Sequence, residues 1–240
     1  MRLKLTIEYD GTNFRGWAAQ PGERTVEGVA GEALRRTFPH WDSLAVAGRT
    51  DTGVHALANV VSVDVDGGPS VSRVAEALNA VLPDDVAVRH AEEVAPNFHA
   101  RFSARARSYR YRIWRPRVRS AFEHRRAWWV SRPLDVEALH EASGKLVGEH
   151  DFRAFTPTET QHEVFVRVVE SARWIDSGDV LAFEIAADSF LRHMVRTIVG
   201  TMIDGVDVRP LLDGSARSNA GRTAPPWGLY LVGVTYDQSR

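Results

Sequence analysis

The sequence predicts an α+β fold made of two pseudo-repeated halves, each a split β-α-β-β-α-β unit in the ferredoxin-like order, with mainly antiparallel sheets meeting at a central cleft. Three observations predict it. Apolar residues alternate with period two in several short runs, they recur at helical spacing in others, and the two kinds follow one another twice in a similar order.

The first half is the clearer one. Leu3, Leu5, Ile7 and Tyr9 alternate with polar neighbours until Asp10-Gly11-Thr12 ends the run, the pattern of a half-buried strand closed by a turn. A helix follows behind Thr25 as N-cap, with Val26, Val29, Ala30, Ala33 and Leu34 on one face and Pro39 limiting its end. Gly28 and Gly31 each weaken that helix by about 1 kcal/mol relative to Ala, so packing must hold it. Strands are predicted over 44–47 and 59–65, a helix over 72–82 before Pro83, and a strand from Val86. In the second half the expected elements are a strand over 108–114, a helix over 136–147 behind Asp135, and a hairpin of 164–175 with 180–186. A helix over 190–203 behind Ser189 and a strand over 230–236 complete it. The halves are 1–105 and 106–240, with no residue-level repeat between them.

Composition excludes several chemistries. The absence of cysteine removes disulfides, thiolate zinc sites, iron–sulfur clusters and any thiol nucleophile. No run approaches the ~20 apolar residues of a membrane span, and the alternating N-terminus is no signal core, so a cytoplasmic protein without a membrane partner is expected. A net charge of −1 and a pI near 6.8 do not announce nucleic acid.

That average conceals a sorted charge. Between Arg101 and Arg132 stand eleven arginines against a single acid, Glu123, so 32 residues carry +10 and the rest of the chain −11. Seven of the 22 aromatic residues lie in the same window. Guanidinium groups suit phosphates and aromatic faces suit bases, which is what an RNA groove needs. Along the strand, Tyr109, Tyr111 and Ile113 share one face, and Arg110, Arg112 and Trp114 the other. The plainer reading is a solvated strand with its aromatics in the core.

The densest candidate for chemistry is Ala47-Gly48-Arg49-Thr50-Asp51-Thr52-Gly53-Val54-His55-Ala56, between two strands. Its Asp serves at least as a turn-former, with Gly48 and Gly53 permitting unusual backbone angles. Asp51-Thr52-Gly53 also matches the aspartic-protease tripeptide, but that chemistry needs a second carboxylate to share a proton and the chain holds no second copy. Asp10-Gly11-Thr12 lacks the preceding Asp of a phosphatase loop, since Glu8 stands there. His55, His99 and His193 have no metal-ligand spacing, and no nucleotide or dinucleotide loop is present.

Gly48 through Ala56 resembles the signature of the tRNA pseudouridine synthase A family, and the resemblance covers essentially the whole chain. The other matching stretches, in the family's order, are Tyr9–Trp17, Phe98–Ala104, Ser108–Tyr111, Phe190–Arg196 and Gly228–Leu231. Ala18 and Ala19 follow Trp17 where a Gln is usual, and the loop after Phe155 is short.

The resemblance implies an isomerase that flips a uridine from stacked RNA and cuts its C1′–N1 bond, then rejoins the uracil through C5, without cofactor or metal. The substrate implied is the tRNA anticodon stem-loop at positions 38 to 40, and the assembly a homodimer. Asp51 is the implied catalytic carboxylate, attacking covalently or removing a sugar proton. Arg49 enters the vacated space and holds a phosphate. Arg196 is the cationic partner that a carboxylate drawn into an apolar pocket needs to stay charged. Tyr109 stacks on the base and takes the C5 proton, and Leu229 packs beneath it. His55, Arg101, Arg110 and Arg112 complete the expected substrate contacts. A rival class is a non-catalytic RNA-binding module of similar topology. Its aromatic octapeptide is absent, and a passive module has no need of Arg49-Thr50-Asp51.

Overall fold

The structure, a computed structural model, describes residues 1–160 and 162–237. It is a mixed α+β protein that divides into two compact units, residues 1–105 with the segment from 231 onward, and residues 106–230. The expected division placed all of 106–240 in one half. Instead the final strand returns to the first unit.

The first unit runs β1 (Arg2–Tyr9), a 3₁₀ turn (Gly11–Asn13), α1 (Val26–Thr37), β2 (His40–Val46), β3 (His55–Asp66), α2 (Val71–Asn79) and β4 (Val86–Glu93). β1 lies between β4 and β3, antiparallel to both, and β2 pairs with β3. The alternation in β1 does what its period dictates: Leu3, Leu5, Ile7 and Tyr9 are all buried. Thr25 caps α1, its hydroxyl accepting from Gly28 N at 3.3 Å, and Glu27 in the first turn with Arg35 and Arg36 in the last complement the helix dipole.

Boundaries in this unit differ from expectation for local reasons. α2 stops at Asn79 and not at 82. The Asn79 amide clasps Val88 N at 2.8 Å and Val88 O at 2.9 Å, and Leu82, preceding Pro83, is steered away from helical angles. β2 begins at His40 and β3 at His55, both earlier than alternation alone suggests, because strand pairing carries their polar ends.

The second unit contains most of β5 (Ala104–Trp114), then β6 (Trp128–Trp129), α3 (Val136–Gly144), β7 (Gly148–Asp151), β8 (Val166–Ser177), β9 (Val180–Ala187) and α4 (Met194–Ile203). The strand order is β5-β9-β8-β7, antiparallel between β5, β9 and β8 and between β8 and β7, with β6 added parallel to β5. Tyr111 stands opposite Phe183, which stands opposite Trp174, and this cross-strand aromatic row is buried. β10 (Leu229–Tyr236) leaves this unit and, from residue 231, lies beside β3 in the first.

The helix expected over 190–203 behind Ser189 begins only at Met194. Residues 190–193 are held in irregular backbone, with Phe190 edge-on to Tyr109, Arg192 O accepting from the Thr156 hydroxyl at 3.0 Å, and His193 left-handed at φ +61°. Nor is α4 buried along one stripe: every residue of it except Arg196 is buried. α3 ends at Gly144 and not at 147, as the weak helix formers Ser143 and Gly144 allow, and Gly148 opens the unexpected short strand β7. Among the described residues no helix is long and apolar enough to cross a membrane.

Candidate active site

The segment carrying Asp51 is a turn between β2 and β3, fixed on both sides by the strand-to-helix connection before α1. Trp17 N donates to Thr50 O at 3.0 Å, Gly53 N to Phe14 O at 3.3 Å, and Val54 N to Asp51 O at 3.1 Å. The approach is so close that only glycines fit. A Cβ on Gly11 would lie 2.0 Å from Val54 O, and one on Gly16, whose φ is +89°, would lie 2.8 Å from Thr50 O. The glycines therefore let two backbones touch where a side chain would part them.

Beneath the turn runs a buried polar chain. The Tyr9 and Thr50 hydroxyls are 2.8 Å apart, and Asn59 Nδ2 reaches Tyr9 Oη at 3.2 Å and Gly48 O at 2.9 Å. Gly48 and Thr50 are thus anchored on either side of Arg49, while Asp51 is half-buried and Arg49 is exposed. His55 is buried, its Nδ1 3.0 Å from Gly11 N and 3.1 Å from Asp10 Oδ1, so the ring links β3 to the turn after β1. Sequence pattern assigned Tyr9 to a strand face and missed Asn59. The available signal was an amide inside the valine-rich run 60–65 of β3.

Arg101 is exposed on the turn before β5, its guanidinium 5.7 Å from the Phe102 ring centre. His99 organises that turn, with Nδ1 accepting from Arg101 N at 3.1 Å and Phe102 N at 3.3 Å.

In the second unit, Tyr109 is buried and packs edge-on against Phe190, ring centres 5.0 Å apart at 81°. Arg196 and Ala224 hold one another: Arg196 Nε donates to Ala224 O at 2.9 Å, and Ala224 N donates to Arg196 O at 3.0 Å. The segment can lie this close because α4 has a glycine there, since a Cβ on Gly200 would sit 1.9 Å from Arg222 O. Tyr111 donates to the next carbonyl, Pro225 O, at 2.8 Å, and burial raises its phenol well above the ordinary range against the opposing charge of Arg196. Leu229 is buried at the start of β10.

Arg110 and Arg112, expected on the RNA, are each tied to a carboxylate. Arg110 Nη2 meets Glu184 Oε1 at 2.7 Å, and Arg112 Nη2 meets Glu123 Oε1 at 2.9 Å. Across the sheet Glu184 also takes Arg173, at 2.8 Å, so one acid serves two strands. Among the described residues no group of three His, Asp or Glu is placed to hold a metal ion.

Known proteins resemble this chain over most of its length. Residues 5–103 and 142–237 match the tRNA pseudouridine synthase family model. Over 245 aligned residues the chain is 40% identical to the tRNA pseudouridine synthase A of Brucella ovis, with 98% of each chain covered. The Brucella canis protein of the same name matches with the same identity and coverage. Among solved structures, a Cbf5-Nop10-Gar1 complex aligns with a TM-score of 0.40 at 10% identity, over 95% of this chain and 57% of the other. The family match and the end-to-end identity show that the chain belongs to the tRNA pseudouridine synthase family, and is an isomerase.

Proposed function

We propose that this protein converts uridines at positions 38 to 40 of the tRNA anticodon stem-loop to pseudouridine, in the cytoplasm, as a homodimer without cofactor. The observation that most supports the reading is the Asp51 turn, a single carboxylate on a backbone clamped from both sides and underpinned by Tyr9, Thr50 and Asn59. Such preorganisation is what a catalytic group needs and a turn-forming Asp does not.

The target uridine first leaves its stack, and the exposed Arg49 takes a phosphate as it fills the gap. The C1′–N1 bond then breaks under the action of Asp51 on the sugar or the ring. The uracil turns, a C1′–C5 bond forms, N1 gains a proton and C5 loses one. Tyr109 stacks on the base and receives that C5 proton, Leu229 packs beneath, and Arg196 is the charge-balancing cation. His55, Arg101 and the outward parts of Arg110 and Arg112 contact the remaining RNA.

The test is tritium release from tRNA labelled at uracil C5. The protein is expected to release label, and Asp51→Asn to lose more than ~100-fold of the rate while still binding tRNA, since a catalytic group of this kind supplies at least that. No release above background by the unaltered protein would overturn the assignment.

A further inference from the structure

The segment after β5, residues 115–127, is ordered by its own bonds yet leaves its tip idle. Trp114 Nε1 donates to Val118 O at 3.0 Å, and Trp129 Nε1 to Pro116 O at 2.9 Å, so two indoles grip the backbone of the loop from its two ends. The Ser120 hydroxyl accepts from Phe122 N at 3.2 Å, and Glu123 ties the far side to β5 through Arg112. Between these anchors Arg117, Val118 and Arg119 stand in solvent, and Phe122 is 93% exposed. Neither Arg117 nor Arg119 has an ion pair or hydrogen bond among the described residues.

A rigid loop that holds an aromatic ring and two guanidinium groups away from the core gains nothing from them in folding. The acids that reach the loop are already paired, Glu123 with Arg112 and Asp176 with Arg115, which leaves the charge of Arg117 and Arg119 at its tip positive. A second copy presenting the same face would set arginine against arginine. The chemistry that fits is a phosphate backbone beside an unpaired base with an open π-face.

We propose that Arg117, Arg119 and Phe122 form an RNA-docking finger, the arginines contacting phosphates and Phe122 stacking on an unpaired base of the tRNA. The proposal rests on the tRNA reading above. It also recasts Arg112 as a positioning residue that sets the finger through Glu123.

Fluorescence-anisotropy titration of labelled tRNA at several salt concentrations tests it. Replacing both Arg117 and Arg119 by Ala should lower the slope of log K against log salt by about 1.4–1.8, two phosphates at 0.7–0.9 each. Phe122→Ala should weaken binding ~10-fold with the slope retained, as loss of one stacked base implies, and Phe122→Trp should restore it. Arg36→Ala, on the exposed last turn of α1, is the control expected to bind as the unaltered protein does. An unchanged slope in the double variant overturns the proposal, as does a Phe122→Ala protein that changes its association state on sedimentation while keeping tRNA affinity. Tritium release by the unaltered protein is read separately. If it persists while every finger variant binds normally, the finger fails and the isomerase stands.

Discussion

Tyr9 and Thr50, 41 residues apart in sequence, meet through their hydroxyls at 2.8 Å in the interior of the first unit. Burial pushes the Tyr9 phenol up to about 12, although the hydrogen bonds to Thr50 and Asn59 oppose the rise. The phenol therefore keeps its proton at any pH at which the protein works. The bond beneath Arg49 and Asp51 is a constant of the structure.

Tyr9→Phe should thus act without a pH signature. Losing the oxygen strands the Thr50 hydroxyl and one Asn59 donor in a buried site, at a cost of about 1–3 kcal/mol. Urea unfolding should show that loss. Single-turnover tritium release should slow at every pH by a similar factor, with the half-saturating tRNA concentration changing less than the rate.

Gly11→Ala is expected to be more damaging than its size suggests. The new methyl would lie 2.0 Å from Val54 O, a backbone atom that moves only if the Asp51 turn moves, so overpacking of about 1–3 kcal/mol and a severe drop in rate should coincide. Gly22→Ala is the comparison. Its φ of +76° costs a non-glycine residue about 1–2 kcal/mol, but nothing lies within 4 Å, so thermal stability should fall while turnover stays near normal.

Gly200→Ala should imitate a partial loss of Arg196. A Cβ there collides with Arg222 O and lifts residues 222–225 off α4, which removes the Ala224 carbonyl from Arg196 Nε. Rates of Gly200→Ala, Arg196→Lys and the double variant should show that the second change adds little to the first. Full additivity would separate the two residues.

Acid should weaken the second unit through Glu184. Burial alone would raise its carboxyl, but hydrogen bonds from Arg173 and Arg110 outweigh burial and hold it below the usual glutamate value of 4.5. A carboxyl depressed in the folded state contributes fully above its unfolded value, and the contribution disappears as pH falls through the folded one. The stability gap between the unaltered protein and Glu184→Gln, measured by urea midpoints, should be constant near neutrality and shrink below about pH 4.5. A gap independent of pH would mean that the ion pairs are not its source.

The sequence made visible whatever depends on near neighbours. The strand ending at Tyr9, the cap at Thr25 and the alternation that buries Tyr109, Tyr111 and Ile113 all follow from spacing within a dozen residues. Asp51 stood out because its turn is a dense local motif. Contacts made across long stretches of chain stayed hidden. The two-residue β6 exists only because it pairs with β5, and the carbonyl of Arg192, next to the left-handed His193, is held by Thr156 from 36 residues away. The carboxylates on Arg110 and Arg112 lie 74 and 11 residues away, so a pattern of alternating arginines could not distinguish a bare guanidinium from a paired one.

The return of the last strand has a consequence for how the protein is made. Val234 and Tyr236 pack on Ala47, at the root of the turn that bears Asp51, and on Val60 and Ala100, and the Tyr236 hydroxyl donates to Ala100 O at 2.8 Å. A ribosome delivers residues 1–105 early, but the strand that seals them comes after everything in the second unit has been translated. The first unit then waits unfinished during synthesis, and the Asp51 turn acquires its full support only when the rest of the chain is present.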